Sequence, residues 1–108
     1  MGRIWTYWEF DHPLGMTVRI ISTPLGLEIF ALDVFEIVAA ELNSEKVVPI
    51  NIKSQERYVV IGQEVVTVKT LNFTAINSLK GIVEAGLINK FLHWVRTTIR
   101  PIFQREYL

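Results

Sequence analysis

The chain has 108 residues, half of them apolar, with eleven basic and eleven acidic side chains and no cysteine. That length suits one domain, 1–108, with room for a real core, and the apolar content argues against intrinsic disorder. Zero net charge excludes a protein that simply coats nucleic acid, and the missing cysteines exclude disulfides and thiolate chemistry.

The charges are unevenly placed. Residues 1–64 carry nine acidic and five basic side chains, whereas residues 65–108 carry two and six. This asymmetry predicts either a C-terminal half that faces an anionic partner or two halves that attract each other across the fold. The N-terminus lacks the apolar segment and small-residue cleavage site of a secretory signal. The longest apolar runs fall short of a membrane span. The expectation is a soluble cytoplasmic protein without membrane contact.

Residues 4–10, Ile-Trp-Thr-Tyr-Trp-Glu-Phe, are aromatic-rich and partly alternating, as in a strand. A turn at Asp11–Gly15 leads to a second strand, Met16–Ile21, and Thr23-Pro24-Leu25-Gly26 to a third, Leu27–Leu32. The apolar period then lengthens. Val34, Phe35, Ile37, Val38 and Leu42 share one face of a helix over 33–42, with Asp33 as N-cap, Glu36 three positions on and Asn43-Ser44 at its end. Pro49 breaks any helix in 45–57, which reads as a short extended piece and a polar loop. Tyr58–Ile61 and Glu64–Lys69 form a hairpin about Gly62-Gln63. Asn72 or Thr74 caps a helix running to about Ala85.

The final helix begins near Leu87 and carries the most information. At 100° per residue, Ile88, Phe91, Leu92, Val95, Ile99 and Ile102 fall within an arc of roughly 100°. Lys90, His93, Arg96 and Arg100 fall within about 120° on the other side. Pro101 predicts an end or a kink near Arg100. Strands and helices do not alternate, so the fold class is α+β: a small antiparallel sheet, meander plus hairpin, packed with about three helices.

Three segments resemble the Bro-N domain, the N-terminal module of baculovirus repeated-ORF proteins and of phage antirepressors. Phe30-Ala31-Leu32-Asp33-Val34-Phe35-Glu36-Ile37-Val38 is similar to its strand-to-helix passage. Val66-Thr67-Val68 with Asn72-Phe73-Thr74-Ala75-Ile76-Asn77-Ser78-Leu79 is similar to its following strand and helix. Phe91-x-x-Trp94-Val95 with Ile99-x-Pro101-Ile102 is similar to its closing helix. The segment 45–57 departs from the family, which has a second short basic helix there. The resemblance implies a phage or prophage regulator that binds DNA or a DNA-binding partner. The alternative is a protein-only inhibitor, an antirepressor or counter-defence (anti-CRISPR) factor, that blocks a host nucleoprotein.

Geometry alone selects the binding residues. Lys90, His93, Arg96 and Arg100, widened by Lys69, Lys80 and Arg105, suit phosphates or an acidic protein; the competing reading is a solvated face. Glu28, Asp33, Glu36, Glu41 and Glu45 form a candidate acidic interface, against a reading as cap and surface residues. Trp5, Tyr7 and Trp8 are either stacking platforms or packing of an edge strand. Trp94 borders the two faces of the last helix, on the core side. His12 and His93 lie too far apart for a metal set. The serines lack a nucleophile elbow, and single glycines in turns make no phosphate loop. No enzymatic activity, metal or cofactor is expected. Val65–Val68 pair either across a homodimer or, more simply, within an internal sheet.

Overall fold

A computed structural model describes residues 2–42 and 52–104. Six strands, β1 (Ile4–Trp5), β2 (Trp8–Asp11), β3 (Thr17–Thr23), β4 (Gly26–Phe30), β5 (Gln55–Ile61) and β6 (Glu64–Leu71), form one sheet of order β1-β5-β6-β4-β3-β2. The helices are α1 (Ala31–Glu41), α2 (Phe73–Ser78) with a 3-10 turn at Leu79–Gly81, and a continuous rod of α3 (Ala85–Trp94), a π-helical turn (Val95–Ile99) and α4 (Arg100–Gln104). The α+β class is as expected. The end of the first helix at Asn43-Ser44, Glu45, Pro49 and Arg105 lie outside the described residues.

The aromatic segment 4–10 is two strands. β1 pairs parallel with β5, and β2 pairs antiparallel with β3. These are opposite margins of the sheet. Trp5 and Trp8 are three residues apart and can span at most about 11 Å, whereas six flat strands would put the margins about 24 Å apart. The sheet therefore curls until its edges approach.

Curling gives the sheet two apolar sides. Ile21, Phe30 and Val59, with Trp5, Tyr7, Ile61 and Val68, fill the concave side. Val18, Ile20, Ile29 and Leu71 on the other side meet Val34, Phe35, Ile37 and Val38 of α1, and Ile88, Phe91, Leu92, Val95 and Ile99 of the rod. This explains the N-terminal aromatics. Tyr7 tilts against Phe30 at 5.3 Å, while Trp8 and Phe10 pack edge-on against Phe103 at 6.2 and 5.8 Å. Residues of both parities are apolar because the segment is packed from both sides.

Helix α1 starts earlier than expected. The strand passes straight into it, and its N-cap position is Phe30, without a side-chain cap bond. Asp33 is therefore a first-turn residue and not the cap. Its carboxylate is buried and takes Arg19, by two side-chain bonds of 3.0 and 2.8 Å and one backbone N–H at 2.8 Å. At the second helix the expected cap holds: Asn72 Oδ1 accepts from the Ala75 N–H at 2.8 Å. That helix is shorter than expected, closing in its 3-10 turn by Gly81.

The rod passes Pro101 without ending, against the expected stop near Arg100. Pro101 has no N–H for the Thr97 carbonyl, and the chain widens into the π turn just before it. There the Arg100 N–H reaches the Val95 carbonyl, five residues back. The Thr97 hydroxyl donates to the His93 carbonyl at 2.8 Å. A wider turn makes all later residues lag in angle. Ile102, expected in the core, is 46 % exposed, and Phe103 is buried in its place.

Candidate anionic-partner interface

The terminal rod presents its cations unequally. Lys90 Nζ lies 3.1 Å from Glu41 Oε1, so that charge is already met by the molecule's own carboxylate. His93, Arg96 and Arg100 are exposed, and none has an ion-pair partner among the described residues. Lys80 is exposed on the 3-10 turn, which packs against α3, and Lys69 is exposed on β6. On the rod itself the expected set comes down to His93, Arg96 and Arg100, with Lys90 at its margin.

The other arginines are committed elsewhere. Arg19 holds Asp33, and Arg57 holds Glu28 by Nε at 2.8 Å and Nη2 at 2.6 Å. Arg3 and Arg57 lie over the Trp5 ring, 3.9 and 5.0 Å from its centre. Of the five described arginines, only Arg96 and Arg100 have neither a carboxylate nor an aromatic ring against them.

The proposed acidic interface is largely dismantled. Glu28 and Asp33 are buried, at 5 % and 3 % exposure, because each closes an internal ion pair. Glu28 also accepts from the Thr70 hydroxyl at 2.7 Å. Burial alone would raise its carboxyl, but the bonds from Arg57 and Thr70 and the charge of Arg57 outweigh that and hold it below the usual range. The same bond raises Arg57, against its burial, and the bond to Asp33 raises Arg19. Glu36 is exposed beside Glu9, Met16 and Arg19 at a cleft of ≈ 350 Å³, while Glu41 is half-buried against Lys90. Glu36 alone of the described four stays free for a partner.

Two features escaped the sequence. His12 is buried, not merely a turn residue. Its ring stacks on Phe91 at 6.2 Å and meets Trp94 edge-on at 4.6 Å, and its Nδ1 accepts from the Leu14 N–H at 3.1 Å. Burial lowers its pKa, with Glu41 acting to raise it and Lys90 to lower it. Trp94 is half-buried, as its border position suggested. The second feature is a groove of ≈ 580 Å³ between the β3–β4 turn, Asn72-Phe73-Thr74 and the end of the rod. Among the described residues Arg100 is the one charged side chain lining it, with Phe73 and Phe103 also in its wall.

Among the described residues there is no group of three His, Asp or Glu that could hold a metal, and no helix is long and apolar enough to cross a membrane. No protein-family model, curated protein or solved structure matches the chain.

Proposed function

We propose that this chain is a regulatory binding protein, of the phage or prophage type that the Bro-N resemblance implies. It acts on DNA or on a DNA-binding partner through His93, Arg96 and Arg100. One observation carries the reading: Arg96 and Arg100 alone among the described arginines are left without a carboxylate or ring, on one rigid rod anchored by Ile88, Phe91, Val95 and Ile99. Arginine presents a planar fork suited to phosphate and carboxylate oxygens. The reading requires no catalytic step.

Salt dependence tests it. Each phosphate contact contributes about 0.9 to the slope of log affinity against log salt. A duplex of about 20 base pairs should bind at low salt, and Arg96→Ala with Arg100→Ala should lower the slope by about 1.8. No binding to any duplex, or an unchanged slope in the double variant, rejects the DNA arm.

The second reading is an inhibitor that docks on protein alone. The Lys90–Glu41 pair favours it. With Lys90 engaged and zero net charge, two free arginines fall well below the roughly six to ten phosphate contacts of a strong DNA binder.

A further inference from the structure

The groove beside Arg100 contains an open piece of sheet. Strand β4 pairs with β3 along Gly26–Ile29, but with β6 only at Ile29 and Phe30. Beyond Leu71 the chain leaves the sheet, because Asn72 caps α2 and turns it away. Among the described residues, the stretch Gly26–Glu28 has no strand paired with it on its β6 side, and Gln55 and Arg57 of β5 border the gap.

Alternation fixes which backbone groups are left over. Thr23 pairs with Gly26 across the two-residue turn, and the Arg19 N–H, of the same parity as Thr23, points past the end of β4 to Asp33. Odd residues of β3 thus face β4, and even residues of β4 face β3. Leu27 faces the other way, as does Ile29, which pairs with Leu71. The Leu27 N–H and C=O face the β6 side, where Leu27 borders both this groove and a cleft of ≈ 140 Å³ with Glu28, Gln55 and Arg57, and among the described residues no turn, loop or side-chain group bonds them.

We infer that this groove takes an extended peptide segment of a partner protein, which adds to the β4 edge at Leu27 and places a carboxylate on Arg100. Edge addition uses main-chain pairing for affinity and neighbouring pockets for side-chain choice. Phe73 and Phe103 supply the apolar wall, and Leu25, fully exposed, stands at the lip. Among the described residues no carboxylate lines the groove beside Arg100, so an anionic group is the complement. A nucleic acid would use Arg100 but has no strand-like backbone for Leu27. The inference goes beyond the cationic face and does not require DNA binding.

Amide NMR with defined probes tests it. The probes are short acetylated peptides of Val, Leu, Phe and Thr ending in a free carboxylate, and amide-capped versions carrying one Glu. Binding of either set should move the Leu27 and Gly26 amide signals; which set does so identifies the source of the carboxylate. N-methylated peptides should lose the Leu27 shift, and Arg100→Ala should weaken binding at least fivefold. The inference is overturned if neither set moves Leu27, if N-methylation has no effect, or if oligothymidylate produces the Leu27 shift instead. If neither peptide set moves Leu27 while duplex DNA shifts His93 and Arg96, the cationic-face reading stands and this one falls.

Discussion

Replacing Glu28 by Gln separates an internal role from an interface role. The carboxylate is 7 % exposed and accepts three hydrogen bonds, two from Arg57 and one from Thr70. Gln keeps the shape but removes the charge and one acceptor. Breaking a fully buried pair costs about 3–5 kcal/mol because the remaining charge is stranded. Arg57 is 24 % exposed and retains some water, so the expected loss is about 2–3 kcal/mol. Urea unfolding followed by circular dichroism should show a lower midpoint with an unchanged slope. In a double-mutant cycle with Arg57→Met, the combined loss should be smaller than the sum of the two single losses. A Glu28→Gln midpoint within about 0.5 kcal/mol of the parent would refute the reasoning and return Glu28 to the list of surface residues.

Lys90→Ala should cost no more than about 1 kcal/mol, since its pair with Glu41 is solvent-exposed on the lysine side; thermal melts decide this. Because burial holds the His12 pKa below its ordinary value of 6.5, the unfolded chain takes up that proton first. Stability from this residue is then intact above about pH 6.5 and declines as pH falls toward the folded-state pKa. His12→Phe should flatten that part of the stability–pH curve, and an unchanged curve would contradict the burial argument. Glu28 acts lower on the scale: its contribution is present above the ordinary carboxylate range and disappears as pH drops through its depressed pKa. Ile99→Ala, at a fully buried position in the π turn, should lose about 2–5 kcal/mol, read by denaturant titration.

The local signals were legible and the long-range ones were not. Alternation and the 3.6 period revealed the α+β class and the inward stripe Ile88–Phe91–Leu92–Val95–Ile99, because each depends on neighbours a few residues away. The cap at Asn72 was legible for the same reason. Asp33 looked like a cap because its local spacing fits one; its partner Arg19 sits fourteen residues earlier on β3, and only the folding of the β3–β4 hairpin into α1 brings them together. Glu28 and Arg57 share this difficulty. They occupy the same concave side as Phe30 and Val59, yet the two strands are not even adjacent. Likewise, the exposure of Ile102 followed from a widened turn that ideal helix geometry does not contain.

The placement of β1 and β2 on opposite margins makes the first eleven residues a clasp. Shortening the chain at its beginning would strip protection from the β5 border and the β3 border together, and bared borders recruit other chains. β2 finds β3 within a few residues, but β1 has no match until Tyr58 and Val59 have been synthesised, so during translation Ile4 and Trp5 wait for a partner more than fifty residues behind them.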